Sequence, residues 1–296
     1  MTAEDSNYRL GLWLALLAAA GFSGKAIFVK LSYGAASVDA VTLLALRLVY
    51  SLPVFIWVAF RRKGPTLSAP DRLMLCVLGL LGFYGASILD FLGLQYISAG
   101  LERLILFTYP TLTVLIGVLF LGKGMSRREV GALILSYVGI GLAFVHDLQV
   151  AGDTDAVILG GALVFGSSLS YAFYLAGSAP AIKRLGAMRF SALAAIVSTG
   201  AALLHQAVSQ PFSAYLQPLP VHVYALGMAL LSTVMPVFAQ SAAIARIGPS
   251  RAVLIGTIGP ILTIFLGWLV LDESISMSQM VGTALVMAGV LLVTRR

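Results

Sequence analysis

Apolar runs of about twenty residues, each long enough to cross ~30 Å of hydrocarbon, recur along the whole of this 296-residue chain. In lipid every backbone polar group has to be satisfied internally, which leaves helices or a closed barrel. The runs are continuous rather than alternating and rich in Leu, Ala and Gly, so they read as single helices and argue against a β-barrel. Ten spans are expected, near residues 8–31, 38–60, 72–95, 98–122, 127–146, 155–177, 188–208, 220–243, 249–272 and 276–295. Only 10% of residues are charged, against about a quarter in soluble domains, and no stretch remains for a soluble domain. The fold class expected is therefore an all-α membrane protein. Arg9 before "AAAGFSG" imitates a signal peptide, but Glu4 and Asp5 spoil its positive start, so an uncleaved first helix is expected. The lone Cys76 forms no internal disulfide and reads as a small core residue.

One of these runs is written twice. Residues 104–126 read "LILFTYPTLTVLIGVLFLGKGMS" and residues 254–276 read "LIGTIGPILTIFLGWLVLDESIS". At this fixed offset Pro110 matches Pro260, Thr113 matches Thr263, Gly117 matches Gly267 and Ser126 matches Ser276. Basic residues give the two copies a direction. Arg9, the group Arg61, Arg62, Lys63 and Arg72, the group Lys123, Arg127 and Arg128, then Lys183, Arg184 and Arg189, then Arg246 and Arg251, and finally Arg295 and Arg296 all fall in alternate loops. The positive-inside rule makes those loops and both termini cytoplasmic. The intervening loops "DLQVAGDTDA" and "QAVSQPFSAYLQPLP" contain no Lys or Arg. A +7 net charge distributed in this way speaks for topology and against nucleic acid as a partner.

Ten spans with both ends inside, divided at the acidic segment around Asp147 to Asp155, give two repeats of five, residues 1–149 and 150–296, in one integrated membrane domain. Five is odd, so the second repeat enters from the opposite face. Inverted repeats of this kind supply inward-open and outward-open states from one architecture, and alternating access follows. Pro110 and Pro260 each remove one helical hydrogen bond and crowd the carbonyls of Leu106 and Gly256, so a kink or hinge is expected at both.

Six charged residues fall inside the spans, where a charge at the centre costs ~2.5 to 3.5 kcal/mol on the insertion scale. Counting along the helices puts Lys25, Asp90, Glu102 and Arg103 in the outer half and Arg47 nearer the middle. Two readings stand for Lys25 and Asp90: an ion network that fixes the first four helices together with Arg47, Glu102 and Arg103, or a gate or site for a charged substrate group. Arg103 and Lys30 read as structural, with Glu102 and Arg103 partly snorkelling.

The sixth span carries Ser167, Ser170, Tyr171, Tyr174 and Ser178 on one face. The third offers Phe83, Tyr84, Ser87 and Asp90 beside small glycines, and the eighth aligns Thr233, Pro236 and Gln240. Any one hydroxyl suits interhelical bonding, but several such faces together line a central path. That path is aromatic, weakly polar and suited to an amphipathic organic solute.

Other chemistries find no support. "GVLFLGKG" at 117–124 nearly matches a phosphate-binding loop but ends on Gly124, with no hydroxyl for Mg²⁺, and it closes a membrane helix. His146, His205 and His222 lie near predicted outer helix ends without metal spacing, so no metal is expected. No nucleophile elbow or HExxH helix is present, and the chain reads as a non-enzyme.

The two strings "YPTLTVLIGVLFLGKGMSRREVGALILSYVGIGL" and "GPILTIFLGWLVLDESISMSQMVGTALVMAGVLLV", with the five-plus-five repeat, resemble the drug/metabolite transporter superfamily and its EamA-type exporters over nearly the full chain. Within that group the sequence looks most like the YddG-type exporters of aromatic amino acids, which also resemble exporters of methyl viologen. The resemblance implies a basket of helices 1–4 and 6–9 around a central cavity, with helices 5 and 10 peripheral. It implies an inner-membrane carrier of small molecules that needs no cofactor and no obligate protein partner. The Trp-Gly pair common in EamA-type first helices is missing, and "AAAGFSGKAIFVK" with Lys25 stands in its place. The first-helix glutamate of the small multidrug transporters is absent too. If both prolines are hinges, Pro110→Ala or Pro260→Ala slows flux in proteoliposomes while the folded protein still reaches the membrane. Unchanged rates in both variants would count against hinging.

Overall fold

The computed structural model describes residues 3–61, 64–121 and 124–294. Arg62, Lys63, Gly122, Lys123, Arg295 and Arg296 lie outside the described residues, and with them part of the basic loops and of the near-match to a phosphate loop. The described residues are mostly helical, with no strand among them. Among the described residues nine helices have the length and apolarity to cross a membrane, and a shorter apolar one covers Met277–Leu292.

The ten helices in chain order are α1 (Ala3–Ala35), α2 (Ala40–Arg61), α3 (Ala69–Gly93), α4 (Ala99–Leu106 and Tyr109–Leu121), α5 (Arg127–Ala151), α6 (Thr154–Leu185), α7 (Ala187–Ser209), α8 (Leu219–Ile247), α9 (Pro249–Gly256 and Gly259–Leu271) and α10 (Met277–Thr294). Local signals fix several ends. Ser68 with Asp71 and Ser126 with Glu129 form capping boxes at the starts of α3 and α5. Ser276, the echo of Ser126, accepts from the Gln279 amide at 3.1 Å and so caps the start of α10 with the first half of that arrangement. Gly152, Gly186 and Gly248 turn the chain at positive φ.

The segment around Asp147 to Asp155, read from sequence as a loop, is mostly helical. α5 runs to Ala151, and only Gly152 and Asp153 separate it from α6. The reason lies in Asp147, which is buried and accepts from the Ser98 amide and hydroxyl at 2.7 and 2.8 Å. A carboxylate employed in this way continues a helix instead of breaking it.

Packing follows an internal two-fold relation. α3 packs on α6 as α8 packs on α1, α4 on α6 as α9 on α1, and α2 lies against α7. α5 and α10 pack mainly on each other and less on the remaining helices. Their contact is backbone to backbone: Gly139 abuts the Gly282 carbonyl, while Gly289 abuts Ala132 and Ser136. Since 139 matches 289 and 132 matches 282 at the repeat offset, one small-residue contact is made twice.

The repeat extends to irregular backbone. π-helical turns interrupt α3 at Leu80–Gly85 and α8 at Leu230–Val234, starting 150 residues apart. Pro236 follows the second turn by two residues, where a missing amide is tolerated. Cys76 departs from its expected core position. It is exposed on α3, on the face opposite the buried Leu75 and Leu78. Gly139→Val would place side-chain atoms against the Gly282 carbonyl, which a Cβ at 139 already meets at 2.5 Å. We expect a loss of about 1 to 3 kcal/mol, read as a lower unfolding temperature in detergent.

Candidate functional site: a central cavity

The two breaks in α4 and α9 are the same event. In α4 the helix stops after Leu106 and restarts at Tyr109; in α9 it stops after Gly256 and restarts at Gly259. The Thr108 amide donates to Ile105 O and the Ile258 amide to Ile255 O, so each break tightens to a three-residue turn. Pro110 withholds an amide from the Leu106 carbonyl, and Ser168 of α6 donates to it instead at 3.1 Å. At the other break Ser23 of α1 donates to the Gly259 carbonyl at 3.0 Å. Each break also starts a thirteen-residue half-helix, whose positive end lies at the centre of the bundle.

A cavity of about 330 Å³ occupies that centre. The backbone breaks sit on it through Phe107, Tyr109 and Thr257, and both π-helical turns reach it through Gly82, Phe83, Ser232 and Thr233. Along α1 and α8 it is lined from Lys25 and Ser232 toward Ala19 and Gln240, that is, toward the helix ends that bear Arg9 and Arg246.

At its opposite limit lies a charge cluster. Lys25 Nζ stands 2.5 Å from Asp90 Oδ2 and 2.9 Å from Glu102 Oε1, tying α1 to α3 and α4. Asp90 is 1% and Glu102 0% exposed, so Glu102 does not snorkel. A polar residue adjoining Lys25 and Asp90 inside the bundle gains more than one reaching a surface through packed helices. Arg47 donates through Nε to Thr233 at 2.9 Å and through NH1 to Ser87 at 3.4 Å, with its guanidinium over the Phe91 ring. Arg103, read from sequence as structural, lines the cavity with its guanidinium over Phe107.

Further ties lie beyond the cluster, away from the arginine-bearing end. Tyr33 donates to the Phe91 carbonyl at 2.8 Å, joining α1 to α3. Glu273, just past α9, accepts from the Ala99 amide at 3.0 Å and lies 4.0 Å from Lys30. Burial pushes the Glu273 carboxyl above the ordinary carboxylate range, and the Ala99 amide opposes that shift. His146 meets the Ser274 carbonyl, and Thr42 meets Gln206.

Of the residues singled out from sequence, Lys25, Phe83, Ser87, Asp90, Ser167, Tyr171 and Gln240 line this cavity. Arg47 and Arg103, assigned to the network, line it as well, whereas Glu102 stands behind it. Three others are turned elsewhere. Tyr84 bonds His205 Nδ1 at 2.7 Å, Ser170 donates to the Leu81 carbonyl of the π turn at 2.8 Å, and Tyr174 stacks on Phe190 and Tyr171. Sequence periodicity assumes a regular helix, and the π turn rotates Tyr84 toward α7. Ser232, Thr257 and Tyr109 were not identified; the doubled prolines beside Thr257 and Tyr109 were the available signal.

A basket of paired, interrupted helices around a mixed-charge cavity is a carrier's geometry, and a family comparison decides which kind. The model of the EamA-like transporter family matches residues 9–145 and again 158–295. The chain belongs to that family. An uncharacterized transporter, YcbK of Bacillus subtilis (strain 168), is 30% identical over 94% of this chain and 92% of its own length. An uncharacterized transporter, sll1319 of Synechocystis, is 25% identical over 95% and 92%. One crystal structure superposes with a TM-score of 0.63 over 95% of both chains at 17% identity, which shows the fold. The family match falls once on each five-helix half, as the doubled breaks and π turns do. This EamA-family chain is thus a multi-pass membrane transporter.

The cluster predicts an asymmetry in stability. Lys25→Met leaves two buried carboxylates without their cation and is expected to cost about 3 to 5 kcal/mol. Adding Glu102→Gln removes one of the uncompensated charges and recovers at least half. Thermal unfolding of the two variants in detergent checks the order.

Proposed function

We propose that this transporter exports amino acids, with aromatic or otherwise hydrophobic side chains, across the inner membrane by alternating access, its termini being cytoplasmic. The observation that carries the reading is the cavity's division of labour. Its walls hold Phe22, Phe83, Phe107, Tyr109 and Tyr171, while Lys25, Asp90, Arg47 and Arg103 place both signs of charge on the same space. An amphipathic zwitterion matches that pattern: a ring for the aromatic wall, an ammonium for the carboxylate and a carboxylate for a guanidinium. Its volume lies at the lower end of the roughly 300–1,000 Å³ of small-ligand sites.

The orientation rests on the basic loops, which put the cavity's Gln240 side toward the cytoplasm and the Lys25 cluster toward the outside. Cytoplasmic loading and a closed outer end suit export. In the alternating-access cycle, bending at Pro110 and Pro260 exchanges the open and closed ends. A broad exporter of drug-like cations fits less well, because three basic side chains face this cavity against one carboxylate in its lining. A dication such as methyl viologen meets more repulsion there than attraction.

Flux of labelled phenylalanine and of methyl viologen into proteoliposomes tests the reading. Saturable phenylalanine flux, uninhibited by excess methyl viologen, is the expected result. Saturable methyl viologen flux without any for amino acids would replace the proposal by the cation reading.

A further inference from the structure

We propose that Asp90 receives the substrate's ammonium group, which displaces Lys25 from it, so that loading the cavity releases the α1–α3 tie at the closed end. The inference rests on the amino-acid reading above and adds a binding subsite and a trigger to it.

Lys25 Nζ is itself a primary ammonium on a tether, and it already sits where a substrate ammonium would sit, 2.5 Å from Asp90 Oδ2. Asp90 has capacity left. It is 1% exposed, it lines the cavity, and its Oδ1 is buried without a hydrogen-bond partner. A buried acceptor left open in this way is costly and calls for a donor. Glu102 repeats the condition, fully buried with Oε2 unpartnered.

Charge makes the same demand. Two carboxylates, Asp90 and Glu102, share one ammonium. Arg47 and Arg103 stand farther off, for among the described residues neither comes within ion-pair distance of a carboxylate. Arg47 is engaged by Thr233 and Ser87, and Arg103 by the Phe107 ring. A second ammonium at Asp90 gives each carboxyl a cation of its own, with Lys25 left to Glu102. Across the cavity on α8, the buried Ser232 hydroxyl also lacks a partner and faces the same space.

Where the second ammonium lands decides what moves. Asp90 borders the cavity, whereas Glu102 stands behind it. An incoming ammonium therefore reaches Asp90, and Lys25 retains Glu102. The tie between α1 and α4 persists, and the tie between α1 and α3 is given up. Farther along on that side, the bond from Tyr33 to the Phe91 carbonyl and apolar packing still join α1 to α3.

The test uses the full chain in nanodiscs and two ligands, phenylalanine and 3-phenylpropionate, which lacks the ammonium. Wild type should bind phenylalanine at least about tenfold more tightly than 3-phenylpropionate, as a charge-assisted bond requires. Asp90→Asn should erase that preference. In Lys25→Met/Glu102→Gln the competing lysine is removed together with its second carboxyl partner, so phenylalanine should bind more tightly than to wild type. Bound phenylalanine, and not 3-phenylpropionate, should raise amide exchange across residues 26–34 and 91–98 of wild type.

Equal affinity of wild type for the two ligands would overturn the ammonium subsite while leaving an aromatic-acid transporter in place. A phenylalanine preference retained in Asp90→Asn would place the ammonium elsewhere and overturn it as well. Unchanged or weaker phenylalanine binding in the double variant, or unaltered exchange in wild type, would overturn the displacement. Failure of both ligands to bind would remove the amino-acid reading and the subsite together. If Asp90→Asn does not fold, the double variant and wild-type exchange still decide.

Discussion

Hydrocarbon supplies no hydrogen bonds, and every irregular piece of backbone in this transporter has to be placed accordingly. The breaks at Phe107–Thr108 and Thr257–Ile258 and the π turns in α3 and α8 all face the bundle interior, where hydroxyls reach them. Ser168 serves the Leu106 carbonyl, Ser170 the Leu81 carbonyl, Ser167 the Ala86 carbonyl and Ser23 the Gly259 carbonyl. Much of the polar stripe on α6 is therefore committed to backbone. The same requirement that keeps irregular turns away from lipid gathers them around the cavity, so the bendable backbone and the candidate site coincide.

Charge obeys a related rule. Lys25, Asp90 and Glu102 tolerate the interior because they answer one another, and they do so in the first repeat only. The backbone is thus close to two-fold in its breaks, turns and glycine contacts, while the ionic ties are one-sided. Lys30 with Glu273, Asp147 with Ser98 and the α1–α3 tie all hold the end away from the arginines. A symmetric frame with an asymmetric set of ties has one end held by ions and the other held mainly by packing, with Arg184 on Asp71 at 2.9 Å as an exception near the basic loops.

Much of this was legible in the chain itself. The periodic runs gave the helices, and the doubled proline segment gave the inverted repeat, since both properties are local in sequence. The cluster members were legible as expensive charges, but their partners were not, because Lys25 and Asp90 are 65 residues apart. Ser170 and Tyr174, on the regular helix α6, meet the α3 π turn and Phe190, partners that spacing does not reveal, and Tyr84 was misplaced for a different reason. Helical periodicity carries a face forward at a constant angle, and a π turn changes that angle without a clear mark in composition. Cys76 and Asp147 were misjudged because residue type sets an average burial and the neighbouring helix sets the actual one.

The sequence by itself determined that the chain crosses the membrane repeatedly, that its halves are inverted copies, and where its helices would be weakened. Those are consequences of transfer free energy and of proline's missing amide, both properties of the local chain. Only the tertiary structure decided that the two weakened helices meet at one cavity, that Lys25 bridges Asp90 and Glu102, and that Arg103 faces the cavity. Such facts depend on which helices become neighbours. Neighbours are chosen by close packing of glycines, serines and breaks across the whole bundle, which no single segment specifies.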